Sequence, residues 1–155
     1  MAFGHVTNEI RTDRRKAHPL RFFMGIKGER TMTVRGIRGA TTVEEDSASA
    51  ILEATTELLR ELIAANGIQE EDVASVLFTT TPDLTAAFPA KAARDMGWQQ
   101  AALMGFQEMN VPNGVRMCIR VLIHWNTSRH ISELEHIYLR GAVVLRPELG
   151  APRSK

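Results

Sequence analysis

The sequence predicts an α/β (α+β) domain in which a mixed β-sheet of about five strands carries flanking helices. Three features of the chain lead there. A strand-like run at 33–38 and a β-branched run at 73–80 are separated by an amphipathic stretch at 47–66, so a helix joins the first two strands. Residues 115–125 alternate with period two over their whole length, the mark of a strand with one buried face. The 155 residues, 44% of them hydrophobic, suffice for one core and leave little room for a second.

Thr33-Val34-Arg35-Gly36-Ile37-Arg38 reads as a short strand with Val34, Gly36 and Arg38 on one face, and Gly39-Ala40-Thr41-Thr42 reads as the turn behind it. In the 47–66 stretch Ile51, Leu52, Leu58, Leu59, Leu62 and Ile63 form one apolar stripe, with Asp46 or Ser47 to cap its start and Asn66-Gly67 to end it. The 73–80 run lies between Glu70-Glu71-Asp72 and Pro82-Asp83 and has the composition of a buried strand. A short helix at 89–96 opens with proline in its first turn and stops at Gly97. Residues 101–106 form a weaker strand, Val111-Pro112-Asn113-Gly114 turns the chain, and 115–125 follows as the strongest strand. Residues 135–139 make another strand, and the apolar stretch 142–145 ends before Pro147.

The formal charge of +1 is too balanced to point to nucleic acid or a membrane surface, and no window nears the roughly 18 apolar residues of a spanning helix. That total hides a split. Residues 1–31 carry seven basic and three acidic side chains, or +4, and the remainder carries twelve basic and fifteen acidic, or −3. Residues 1–31 are therefore read as a basic, flexible, dispensable extension, with Met32 available as a second start, and 32–155 as the folded domain. The single Cys118 permits no intramolecular disulfide and the arm shows no targeting signal, so the expected compartment is the cytoplasm.

The oddity lies on the outer face of the 115–125 strand. Val115, Met117, Ile119, Val121, Ile123 and Trp125 must pack inward, which places Arg120 on the other side between Cys118 and Leu122. A guanidinium cannot shed its proton in practice, so partial burial there obliges it to find an anion, either a protein carboxylate or a ligand. Arg38 ends a short strand on a face otherwise made of Val34 and Gly36. With Lys91, Arg94 and Arg146 it offers material for a pocket that grips a small dianion through its carboxylates. Gly36-Ile37-Arg38-Gly39 lacks the rest of a phosphate-loop or dinucleotide pattern. His124, His130 and His136 match no helical metal spacing, and Cys118 reads as a buried inert thiol. A reaction needing no nucleophile and no acid–base pair fits best.

Six stretches in order resemble the AroH-class chorismate mutases typified by the monofunctional Bacillus enzyme. They are Val34-Arg35-Gly36-Ile37-Arg38-Gly39-Ala40-Thr41-Thr42-Val43-Glu44, Thr81-Pro82-Asp83-Leu84 with Ala87-Phe88-Pro89-Ala90-Lys91-Ala92, Gln107-Glu108-Met109, Cys118-Ile119-Arg120-Val121, His136-Ile137-Tyr138-Leu139, and Ala142-Val143-Val144-Leu145-Arg146-Pro147. The resemblance implies a homotrimer like a pseudo-α/β barrel, with active sites between subunits. It also implies the Claisen rearrangement of chorismate to prephenate on the route to phenylalanine and tyrosine, with no covalent intermediate and no cofactor. Arg120 would donate to the breaking ether oxygen, and Arg38 would clamp a carboxylate and assist at that oxygen. Tyr138 would bind a carboxylate, and Glu108 would accept from the ring hydroxyl. Phe88, Ala90, Lys91 and Arg94 would come from the neighbouring subunit, while Leu145 and Arg146 would cover the entrance.

The chain departs from the family at Met104 and Gly105, where a threonine and a cysteine are common, and it is one residue shorter between Arg94 and Trp98. Changed substrate affinity rather than loss of reaction is expected from this. Two other readings stand beside it: a non-catalytic trimeric sensor of small carboxylates that uses the same arginine pocket, and a small trimeric imine deaminase of similar outward design.

Overall fold

The computed structural model describes residues 31–150, so the expectation for the basic arm falls almost wholly outside the described residues. Ten residues, Thr33–Thr42, form β1, after which α1 (Ala48–Asn66) crosses to β2 (Val73–Thr80). A short helix, α2 (Ala90–Asp95), leads to β3 (Ala102–Gln107); β4 (Cys118–Thr127) and the two-residue β5 (Ile137–Tyr138) complete the sheet. A 3₁₀ turn (Arg140–Leu145) and a last helical turn, α3 (Pro147–Gly150), follow. The sheet order is β3-β2-β4-β1-β5, with β4 antiparallel to both its neighbours and the outer pairs β2–β3 and β1–β5 parallel. No helix among the described residues is long and apolar enough to cross a membrane.

α1 forms where its stripe predicts. Ile51, Ala54, Leu58, Leu59 and Leu62 are buried, with Leu52 and Ile63 at the margin. Each fully buried leucine or isoleucine contributes about 1.5–3 kcal/mol. Ser47 is the cap, accepting the Ala50 N–H at 3.2 Å, and Gly67 closes the helix in the left-handed conformation at φ 67°. Asp46 serves elsewhere, accepting from the Thr85 N–H, the Thr85 hydroxyl and the Ala86 N–H, and so ties the loop before α2 to the start of α1. Asn66 does more than end the helix. Its side-chain amide pairs with Glu135 through both the N–H and the carbonyl of that residue, which pins the approach to β5.

One face of the sheet meets α1 and α2. Ile37, Val76, Phe78, Val121, Ile123 and Trp125 pack there against Leu58, Leu59, Leu62 and Ala93. The other face carries an open cleft of about 1210 Å³.

Three sequence expectations change. Residues 39–42 continue β1 instead of turning, because Gly39 serves as a packing residue: a Cβ there would stand 2.8 Å from Leu62 Cδ1 and 3.0 Å from Leu58 Cδ1. β4 starts at Cys118, because Met117 at φ 50° breaks the strand and removes it and Val115 from the alternation. Ile119, Val121, Ile123 and Trp125 keep the inward face assigned to them. The 135–139 strand shrinks to Ile137–Tyr138, since Arg140 at φ 51° bends the chain away, and the stretch behind it winds into a 3₁₀ turn and α3.

Replacing Gly39 by alanine is expected to destabilise the fold by about 1–3 kcal/mol through overpacking against two fully buried leucines. Thermal unfolding measures this, and an unchanged midpoint would contradict the close-approach role.

Candidate active site

Register decides which side chains meet in the cleft. Phe106 on β3, Thr79 on β2, Arg120 on β4, Ala40 on β1 and Tyr138 on β5 are paired in succession, and all five line the cleft. Ala40 offers only a methyl group, buried in a small cluster against which Tyr138 and Leu145 pack. The next row, Leu77, Leu122 and Arg38, supplies two apolar side chains and a second cation. The sequence reading missed Thr79, Phe106, Leu77 and Leu122. It treated 73–80 as uniformly buried, although period-two alternation against Val76 and Phe78 places Leu77 and Thr79 on the outer face.

Glu108 lies just past β3, and its N–H donates to Thr80 O at 2.9 Å, so the β2–β3 ladder extends to it. Its carboxylate oxygen Oε1 receives the Thr79 hydroxyl at 2.5 Å and faces Arg120 Nε at 3.0 Å. The anion that meets Arg120 is therefore a carboxylate of its own chain. The expected partial burial belongs more to the acid: the Glu108 side chain is 13% exposed and that of Arg120 is 44%. Strand position did not bury the arginine because its face opens on a cleft and not a core. The arginine end of the pair is thus open to solvent while the carboxylate end is largely buried.

Arg38 hangs on β1, its backbone N–H donating to His136 Nδ1 at 3.1 Å. Leu145 and Arg146 reach the cleft from the far side. The Arg140 guanidinium meets Glu57 at 2.5 Å and Thr42 O at 3.3 Å, and the Gly141 N–H donates to Thr42 Oγ1, so this segment is fastened to the end of β1. Arg146 pairs with Glu148, which holds that carboxyl below its ordinary range.

The remaining sequence candidates do not line their own chain's cleft. Phe88 is 79% exposed and so is not a residue of its own chain's core. Ala90 is buried against the core, Lys91 pairs with Asp95 at 2.6 Å, and Arg94 stands exposed on α2. Met104 is exposed, and neither it nor Gly105 lines the cleft. His124 pairs with Ser75 and His130 caps the turn at Ile131–Glu133. Cys118 is fully buried, and that burial pushes its thiol pKa up.

Thr81-Pro82-Asp83 sets the start of β4. Thr81 exchanges backbone and side-chain bonds with Cys118, while Asp83 accepts from the Met117 N–H at 3.0 Å and from Arg116 Nε at 3.2 Å. These contacts hold Met117 in its left-handed conformation, which costs about 1–3 kcal/mol in a non-glycine residue. Burial acts to raise the Asp83 pKa, but the Thr81 hydroxyl and the Met117 amide outweigh it and hold the carboxyl below its ordinary 3.8.

Comparison with known proteins adds to this geometry. The family described as chorismate mutase type I matches residues 34–149. The chorismate mutase AroH of Thermus thermophilus is 53% identical over 117 residues, 75% of this chain and 96% of that protein. The chorismate mutase AroH of Bacillus subtilis strain 168 is 45% identical over 124 residues, 79% of this chain and 98% of that one. A solved chorismate mutase from Clostridium thermocellum superposes with a TM-score of 0.71 at 49% identity, covering 72% of this chain and 99% of its own.

A carboxyl whose folded pKa is depressed adds stability that is present above the unfolded value, near 3.8 for Asp83, and is lost as the pH falls through the folded value. Asp83→Asn is expected to cost about 1–3 kcal/mol at pH 7. The gap from wild type should narrow at pH 3, as urea unfolding at both pH values will show. A gap constant with pH would contradict the anionic clamp.

Proposed function

The chain belongs to the chorismate mutase type I family, and we propose that the row of residues across its sheet is where chorismate becomes prephenate. The activity is that of a chorismate mutase, an isomerase of aromatic amino acid biosynthesis. One ether C–O bond breaks while a C–C bond forms within the same molecule, so the protein has to supply shape and charge and no covalent partner. This displaces the sensor and imine-deaminase readings.

The observation that carries the mechanism is a permanently charged Arg120 in the middle of a cleft-lining row, paired with Glu108. Negative charge grows on the ether oxygen as the bond breaks, and a guanidinium already pointing into the cleft stabilises it without reorganisation. Arg38 clamps a substrate carboxylate and assists at the same oxygen, and the Tyr138 hydroxyl takes a carboxylate from the other side of Ala40. Glu108 has a second carboxylate oxygen with which to accept from the ring hydroxyl. Leu77, Leu122 and Phe106 give the ring apolar walls. Holding a flexible dicarboxylate in its compact conformer removes part of the entropic barrier.

Phe88, Ala90, Lys91 and Arg94 complete the site from a neighbouring copy in a homotrimer. Supporting this, they do not line their own cleft, Phe88 is exposed, and Met104, Phe106, Met109 and Val111 present further exposed apolar surface near the cleft. Leu145 and Arg146 cover the entrance. The family match starts at residue 34, which supports a catalytic domain of 32–155 with the basic extension 1–31 outside the chemistry. The one fully buried cysteine supports a cytoplasmic site of action.

Arg120→Ala is expected to lower kcat/KM by about 10²–10³ or more, the cost of losing a preorganised donor, with circular dichroism unchanged. The loss of chorismate absorbance measures it, and near wild-type turnover would contradict the mechanism. Arg94→Ala subunits, themselves slow, are expected to regain turnover when refolded together with Arg120→Ala subunits, since some sites then combine two intact halves. No regain would contradict the shared site.

A further inference from the structure

Glu108 is held at one carboxylate oxygen by a hydrogen bond and an ion pair. The Thr79 hydroxyl donates to Oε1 at 2.5 Å, in the range of a charge-assisted O–H···O⁻ bond, and Arg120 Nε stands 3.0 Å from the same atom. Neither contact engages Oε2. Thr79 is the β2 residue in register with Arg120, and the Glu108 N–H is bonded to the carbonyl of the next residue, Thr80. The hydroxyl and the carboxylate are thus brought together by the sheet itself and not by a flexible loop.

This matters when substrate arrives. On the reading of Arg120 given above, a turn of the guanidinium toward a substrate oxygen loosens its Nε contact with Glu108. Without the Thr79 hydrogen bond, a glutamate whose ion pair has loosened regains side-chain torsional freedom. Threonine is suited to prevent this, because branching at Cβ restricts its χ1 and so fixes the hydroxyl direction. Having a single proton and donating it to Glu108, the hydroxyl has none to offer the substrate.

We propose that Thr79 is a positioning residue: it holds Glu108 Oε1 while Arg120 changes partners, and so keeps Oε2 aimed at the substrate ring hydroxyl. This rests on the reading of Glu108 given above. The ring-hydroxyl contact exists in the ground state as well as in the transition state, so its loss raises KM more than it lowers kcat.

The test is a cycle of Thr79→Val, Thr79→Ser, Glu108→Ala and the Thr79→Val/Glu108→Ala pair, assayed on chorismate. Thr79→Val is expected to lose roughly tenfold to a hundredfold in kcat/KM, mostly through KM, as for a lost hydrogen bond to a charged group. Thr79→Ser should restore most of it, and Thr79→Val should cost almost nothing more once Glu108 is alanine. Should the valine variant not fold, Thr79→Ala takes its place in the cycle. A large loss in Glu108→Ala with none in Thr79→Val, or losses that simply multiply in the double variant, would overturn the role of Thr79 alone. A Glu108→Ala variant with wild-type constants would overturn the assignment of Glu108 itself.

Discussion

Arg120 carries a proton it does not release, and β4 sets it between Thr79 and Ala40 with its side chain turned from the core. Much of the molecule is arranged around that charge. Its own face of the sheet carries the cleft, its paired anion is supplied by the residue just past β3, and the residue across from it on β1 is reduced to a methyl group. In water a guanidinium is a poor catalyst because solvent must reorganise around each change in charge. Fixed in a cleft with an internal partner, it is ready for a developing anion before the reaction begins.

The remainder of the fold works to keep that placement. The 81–83 bracket anchors the start of β4, and a one-residue slip of β4 against its neighbours would turn Arg120 into the core and a hydrophobe into the cleft. Gly39 lets α1 lie close on β1, so the helix can back the sheet directly opposite the cleft. Asn66 and Arg140 fasten the 135–140 segment to α1 and to β1, which carries Tyr138, Leu145 and Arg146 to the cleft from elements that have little structure of their own. Stability and chemistry therefore share contacts, and damage to the bracket reaches the site through register.

The periodic parts of this molecule were legible in the sequence. The α1 stripe and its caps, the buried alternation at Ile119, Val121, Ile123 and Trp125, and the strangeness of Arg120 among apolar neighbours all follow from spacing. Residues 39–42 misled because a glycine that admits a neighbouring helix looks the same in sequence as one that turns the chain. Val115 and Met117 misled because the alternation continues past a point where the backbone leaves the strand. The row from Phe106 to Tyr138 was not legible at all, since it depends on register between strands distant in sequence. Thr79 was lost with it, one threonine among three. The short motifs around Glu108, Arg120 and Tyr138 carried the site through resemblance, and the sheet supplies the physical reason they belong together.

The most direct measurement is a structure of the protein with a bicyclic ether dicarboxylate that imitates the compact transition state. The ether oxygen is expected about 2.7–3.1 Å from the Arg120 guanidinium, with carboxylates at Arg38 and Tyr138, and Glu108 Oε2 on the hydroxyl while Thr79 stays on Oε1. An inhibitor bound elsewhere, with the Arg120–Glu108 pair undisturbed, would contradict this placement of the chemistry.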